Sequence, residues 1–160
     1  MLPSPMKAPT QDRLARYRPP RIAAFLFLAA AALHWLTPVE RFEIFSSTRL
    51  SIALVSIGLA TMLWAWWQFK KRATAICPTE HTDQLVTDGI YRITRNPMYL
   101  GIVLMMSGAA TFFGTLPFYA AAVLYFAIVD GIFRRYEERK LAAAFGHEYQ
   151  HYKSSVRPWI

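Results

Sequence analysis

The sequence predicts an all-α integral membrane protein: a helical bundle of about four transmembrane helices with an amphipathic cytoplasmic helix after them. Three observations carry this reading. Hydrophobic residues make up 54% of the 160 positions, and they are clumped into runs near membrane-spanning length. Chain breakers fall between the runs, at Pro38, Pro78, Gly89, Pro97, Gly114 and Pro117. The Lys and Arg residues that give the net charge of +8 sit beside the apolar runs, as juxtamembrane residues do.

Residues 1–20, rich in Pro and charge, read as a mobile cytoplasmic lead-in without a convincing signal-peptide cleavage site. Residues 21–160 read as one membrane domain. The first span is expected over 21–37 and is closed by Pro38. The second covers 48–69, with Ser46, Ser47 or Thr48 as its N-cap. Trp64, Trp66 and Trp67 come just before Lys70, Lys71 and Arg72, the sequence signature of an interfacial belt and a cytoplasmic anchor. A long polar connection leads to a third span at 98–113, where Pro97 suits a first helical turn because its missing N–H would be unpaired there anyway. Gly114 and Thr115 make a tight reversal into a fourth span at 116–133, so spans three and four should pack as an antiparallel hairpin. In the following tail, Leu141, Phe145 and Tyr149 recur every four residues, giving an apolar face for the bundle or the membrane surface.

Charge sets the orientation. Basic residues crowd the lead-in, the connection around Lys70 to Arg95, and the tail from Arg134 to Arg157. The first reversal has only Arg41 and Arg49 against Glu40 and Glu43, and the second has none. Four spans with every basic segment on one side put both termini and the polar connection in the cytoplasm. Basic residues so placed serve a membrane, and no nucleic-acid partner is expected. The single cysteine, Cys77, excludes an intrachain disulfide and reads as an ordinary small residue. His147 and His151 are four apart, but no third ligand is near, so no metal site is expected. His34, inside the first span, reads as a group paired near the far interface and is left out of the site.

Two dense polar clusters remain, at 85–101 and 134–140, with motifs running on to 157. The hairpin of spans three and four brings them together at the membrane surface. The result is a polar cup lined by Tyr91, Arg95, Asn96, Tyr99, Glu137 and Glu138. Carboxylates there could take an ammonium or ribose hydroxyls, Arg or Asn a carboxylate, and aromatic faces an adenine or a sulfonium. Gly101 and Gly108 leave one stripe of the third span without side chains, for close helix approach or for a ligand's tail.

The pattern Leu85-x-Thr87-x-Gly89-x-Tyr91-x-x-x-Arg95-Asn96-Pro97-x-Tyr99-x-Gly101, followed by Glu137-Glu138-x-x-Leu141-x-x-x-Phe145-Gly146-x-x-Tyr149-x-x-Tyr152 and Val156-Arg157, resembles the isoprenylcysteine carboxyl methyltransferase and phospholipid methyltransferase superfamily. The resemblance covers roughly residues 72–160. It implies a membrane-embedded methyltransferase that uses S-adenosylmethionine in a cytoplasm-facing pocket, with a lipophilic acceptor entering sideways from the bilayer lipid. It implies cofactor binding by Tyr91, Asn96, Pro97, Tyr99, Gly101, Glu137 and Glu138, and catalytic roles for Arg95, Glu138 and Arg157. The carboxyl methyltransferases have His where this chain has Asn96, and the Asn-Pro-Met-Tyr form looks closer to the phospholipid-methylating branch. Asn cannot act as a base, so it carries no proton-transfer role.

A sulfonium methyl is already activated, so the protein mainly aligns acceptor, methyl carbon and sulfur and excludes water. A carboxylate acceptor needs no base, and Arg95 or Arg157 could hold it. An amine acceptor must lose a proton, to Glu137 or Glu138. Prenylated cysteine, an amino phospholipid, or a small lipophilic acid, amine or thiol all stay open. Two other classes compete: a sterol-reductase-like enzyme using reduced nicotinamide dinucleotide phosphate, and a non-enzymatic membrane assembly subunit. A four-span proton-coupled exporter is disfavoured because it needs a mid-span carboxylate, and only Asp130 approaches that position.

Overall fold

A computed structural model describes residues 18–37, 40–42, 46–71 and 84–160. Pro38, Glu43, Arg72, Cys77, Pro78 and the lead-in before Arg18 therefore lie outside the described residues. The chain forms α1 (Pro19–Leu36), α2 (Thr48–Lys71), a single 3₁₀ turn (Gly89–Arg92), α3 (Pro97–Phe113), α4 (Leu116–Ile128), a π-helical segment (Val129–Arg134) and α5 (Arg135–Ser155). Among the described residues there is no strand, only an isolated bridge between Arg41 and Thr115. The fold is an all-α membrane bundle.

Three helices are long and apolar enough to cross a membrane: α1, α2 and the continuous helical run Leu116–Ser155. The fourth, α3, has 17 residues and at about 1.5 Å per residue reaches roughly 25 Å. That is short for a hydrocarbon core of about 30 Å, and its buried face packs against the bundle on both sides. Large apolar side chains on α1, α2 and α4 face outward, among them Phe25, Leu28, Trp35, Ile52, Ile57, Leu63, Val123 and Leu124. In water these would be a liability; in lipid they cost nothing.

The local signals act as the residue types require. Ser47 caps α2, its hydroxyl accepting the backbone N–H of Leu50. Pro97 opens α3 from the first turn. Gly114 ends α3 in the left-handed region at φ 64°, and its N–H closes on the Ala110 carbonyl. Thr115 then starts α4 at once.

Two helix contacts organise the bundle. α2 lies closest to α3, and glycines set the distance. A Cβ on Gly101 would come within 2.6 Å of the Gly58 carbonyl oxygen, and one on Gly58 equally close to that of Gly101. A Cβ on Gly108 would strike Val55, and beside it Ser51 donates to the Gly108 carbonyl at 2.8 Å. The glycine stripe thus serves close helix approach. α1 packs on α4 and α3 through Ala23, Ala30 and neighbouring partly buried residues, in a core that includes Ile102, Met106, Phe118, Tyr125, Val129 and Phe133.

One expectation is revised. Span four does not end near Phe133 and restart as a separate tail helix. Instead α4 runs through the π segment into α5, and the first departure from helical geometry is Gly146, at φ 50°. The reason is that the boundary has no breaker: Gly131 keeps helical company and meets nothing that would force a turn. Of the two places expected for the apolar face of α5, the bundle and the membrane surface, it takes the bundle. Leu141, Ala142, Phe145, Tyr149 and Tyr152 pack on Val86, Ile90 and Tyr91 of the connection and on Ala65 and Phe69 of α2.

Candidate active site

The site lies at the end of the bundle where α2 finishes, α3 starts and α5 departs. The connection is shaped first by Gly89, whose φ of 56° an L side chain rarely adopts. A Cβ there would also lie 1.7 Å from Gln68 Nε2, so the α2 amide rests directly on this glycine. The 3₁₀ turn that follows buries Ile90 and Tyr91 and turns the chain toward α3.

Arg95 reaches across to α5. Its guanidinium lies 3.1 Å from the Glu138 carboxylate and donates to the Tyr149 hydroxyl at 3.3 Å. Both side chains of the ion pair are nearly enclosed, with 8% of Arg95 and 13% of Glu138 exposed. Glu138 also pairs with Arg134 at 3.0 Å and with Lys153 at 3.1 Å. Burial pushes its pKa up, but the bonds from Lys153 and Arg134 and the field of Arg95 outweigh this and hold it below the usual carboxylate range. Glu138 is thus a fixed anion that ties the connection, the π segment and α5 together.

Glu137, one residue earlier, has a different setting. It accepts the Tyr99 hydroxyl hydrogen bond. Burial raises its pKa to about 7, against the lowering effects of Tyr99 and Lys140. A half-buried carboxyl near the neutral point, held by a neutral donor, can take or release a proton where Glu138 cannot. Tyr91 sits in the same surroundings, and burial, then the charge of Glu137, raises its phenol well above the ordinary value.

The structure therefore brings together Tyr91, Arg95, Tyr99, Glu137 and Glu138. The others are used differently. Asn96 is buried and donates to the Pro158 carbonyl at 2.8 Å. Pro97 is fully buried in the first turn of α3, and Gly101 lies against Gly58. The Arg157 side chain is exposed, while its carbonyl accepts the Arg95 N–H at 3.1 Å.

Sequence reasoning missed several participants. Tyr125 is fully buried on α4, close enough to Glu137 to feel its charge, and its hydroxyl has no partner among the described residues. Arg95 Nε and Gln68 Oε1 are likewise buried without one. A Tyr deep inside an apolar span was the available signal for Tyr125, although Tyr119 in the same helix gave the same signal. Asp130, Arg134 and Glu138 stand at four-residue spacing, which makes an ion-pair ladder on a helix face. Among the described residues no three His, Cys, Asp or Glu converge as a metal site.

A family profile for phospholipid methyltransferases matches residues 47–148, from the cap of α2 into α5. The chain belongs to the phospholipid methyltransferase family. The match spans α2, the connection, the α3–α4 hairpin and the acid pair, which are the parts that build the site. No curated protein and no solved structure matches the chain. Membership makes methyl transfer at a membrane the reaction class, and the apolar helices make the protein an integral membrane one.

Proposed function

We propose that the protein transfers a methyl group from S-adenosylmethionine to the amine headgroup of a lipophilic acceptor at the cytoplasmic face of the membrane. The observation that carries this is the division of labour in the acid pair: Glu138 is a fixed anion in three ion pairs, whereas Glu137, half-buried, accepts a hydrogen bond from the neutral Tyr99 hydroxyl and has its pKa pushed up to about 7 by desolvation. The charge distribution around the spans supports the cytoplasmic side.

The residues fit such a cofactor. Arg95 Nε and the Tyr125 hydroxyl are buried polar atoms with no partner among the described residues, and Tyr91 and Tyr99 offer aromatic surface beside a carboxylate. These are groups suited to a carboxylate, a ribose or ammonium, and a sulfonium. When bound, S-adenosylmethionine supplies an activated methyl group on sulfur. Arg95, Glu138, Tyr91 and Tyr99 would hold it, with Asn96, Pro97 and Gly101 shaping the backbone behind them. Glu137 would take one proton from the acceptor's ammonium, freeing the nitrogen lone pair to bond the methyl carbon as the sulfur–carbon bond breaks. Tyr99 would keep that carboxylate oriented, and the surrounding helices would exclude water.

A carboxylate acceptor, as in the isoprenylcysteine carboxyl methyltransferase branch, is the second reading. Its support is Arg157, whose side chain is exposed and whose backbone carbonyl accepts the Arg95 N–H at 3.1 Å. The family match favours methyl transfer over sterol-reductase-like hydride transfer or a purely structural assembly role. The test is to incubate purified protein with methyl-labelled cofactor and membrane lipid extract, then find the label by mass spectrometry. Label on an amine headgroup is expected. Label only on a carboxyl ester would move the assignment to the second reading, and absence of S-adenosylhomocysteine binding would end both.

A further inference from the structure

Residues 156–160, which follow α5 and lie beyond the region matched by the family, run back across the site as a strap. Three donors from the start of α3 hold it. The Arg95 N–H binds the Arg157 carbonyl at 3.1 Å, and Thr94 Oγ1 and Asn96 Nδ2 bind the Pro158 carbonyl at 3.1 and 2.8 Å. At its far side the Trp159 ring packs on Phe126 of α4, with centroids 5.0 Å apart. The Trp159 indole N–H donates to Asp130 Oδ1 at 2.9 Å.

That same oxygen accepts Arg134 Nε at 2.7 Å, and Arg134 goes on to Glu138 at 3.0 Å. Glu138 pairs with Arg95, where the strap began. The polar contacts form a closed circuit: Arg95, the strap, Trp159, Asp130, Arg134, Glu138, Arg95. We infer that Trp159 is a positioning residue for methyl transfer, acting through Asp130 and Arg134 to fix the carboxylate of Glu138 and, with it, the cofactor-binding face of Arg95.

The physical case rests on what the ladder lacks alone. An ion pair at four-residue spacing on a helix is worth little, because two long side chains must be held in one geometry. Asp130 fixed by an indole presents one orientation to Arg134, whose planar fork then has one way to meet Glu138. A neutral donor suits this place. Arg95, Arg134 and Lys153 already outnumber Asp130 and Glu138, and another cation on Asp130 would compete with Arg134 for the same oxygen.

The inference rests on the cofactor reading above, and its test separates the two. S-adenosylhomocysteine affinity is measured for the full protein, for Trp159→Phe, for Asp130→Asn and for the double variant. Trp159→Phe keeps a ring against Phe126 and removes only the N–H. Its dissociation constant is expected to rise about tenfold, as loss of a hydrogen bond to a charged group allows. The KM for the methyl donor should rise in parallel with kcat unchanged at saturation. In the Asp130→Asn background the same substitution should add less than twofold, since the relay is already broken. Thr94→Val, which removes one donor to Pro158 together with the acceptor of the Asn96 N–H and leaves the indole in place, loosens the strap from its other side, with an expected rise of about threefold. Unchanged affinity in both Trp159→Phe and Thr94→Val, or full additivity with Asp130→Asn, overturns the relay while the cofactor reading stands. If the unaltered protein binds no S-adenosylhomocysteine, the cofactor reading falls and the inference falls with it.

Discussion

At the end of the bundle where α1 finishes and α4 begins, polar side chains close on their immediate surroundings. His34 meets Thr115 at 3.2 Å inside a ring of Trp35, Phe113 and Phe118. Arg41 binds Ser46 and the Phe112 carbonyl, and Phe42 and Ser47 donate to Gly114 and Thr111. The opposite end gathers charged groups from the connection, the π segment and α5, joining Arg95, Asp130, Arg134, Glu138 and Lys153 in ion pairs, and still leaves Arg95 Nε and the Tyr125 hydroxyl unpaired among the described residues. One end is a seal, where polar groups bond the turn backbone and one another. The other concentrates charge far beyond what closing helix ends requires, and buried charge is costly unless something uses it.

The sharpest way to break this contrast is at Glu138. Glu138→Ala should abolish S-adenosylhomocysteine binding and also leave the enclosed Arg95 without its partner, a loss of about 3–5 kcal/mol in stability. Thermal unfolding in detergent checks the second part. The pH dependence has a definite sign. A carboxyl held below its unfolded value, about 4.3, contributes stability that is present above that value and is lost as pH falls through the lower folded one. A protein whose stability is indifferent to acid in this range would show that the ion pairs of Glu138 contribute little.

Glu137 should separate chemistry from binding. Glu137→Gln is expected to keep S-adenosylhomocysteine affinity within a few-fold and to slow methylation of an amine by about 10²–10⁴. In the unaltered protein kcat/KM should climb with pH and reach half its plateau near the pKa of about 7. The sign for stability is opposite to that of Glu138. Here the unfolded chain releases its proton first, so rising pH between the ordinary carboxylate value and about 7 weakens the fold. Equal losses of affinity in Glu137→Gln and Glu138→Gln would erase the distinction between the two acids.

Much of this was legible in the sequence. The span limits followed from apolar runs bounded by Ser47, Pro97 and Gly114, whose backbone demands are local. The meeting of Arg95 with Glu138 followed from a two-residue reversal, which forces distant residues to one end. The separate roles of Glu137 and Glu138 did not follow. Adjacent helical residues point about 100° apart, and only the packed neighbours decide which one meets cations. The strap was hidden for another reason: Arg157 and Pro158 act through backbone carbonyls, which every residue possesses. Gly101 was ambiguous in sequence because a bare helix face suits a ligand or a neighbour equally, and only Gly58 opposite decided it.

That last point makes a smaller prediction. Gly101→Ala puts a methyl 2.6 Å from a backbone oxygen, and backbone cannot swing aside. α2 and α3 must separate, at a cost of about 1–3 kcal/mol, typical of overpacking. Because α2 carries Gln68 onto Gly89, the separation should also weaken cofactor affinity, though less than any change at Glu138. An alanine variant with full stability and affinity would show that the helix contact is looser than the glycines suggest.

The smallest effect is expected at the sealed end, and for that reason it tests the comparison most fairly. Arg41 is exposed, and its guanidinium makes 2.8 and 3.3 Å hydrogen bonds to Ser46 and the Phe112 carbonyl. Exposed bonds exchange readily with water, so Arg41→Ala should cost no more than about 0.5–1 kcal/mol. The rate of methyl transfer and S-adenosylhomocysteine affinity should both stay within twofold, because no polar chain among the described residues leads from Arg41 to Glu137 or Arg95. The bundle offers one physical route for a larger effect: α3 is a single rigid rod joining the two ends, and tilting it at Gly114 would move Tyr99. A fall in kcat matching that of Glu137→Gln, without a fall in melting temperature, would mean that the rod transmits such a tilt and that the quiet end is part of the catalytic apparatus.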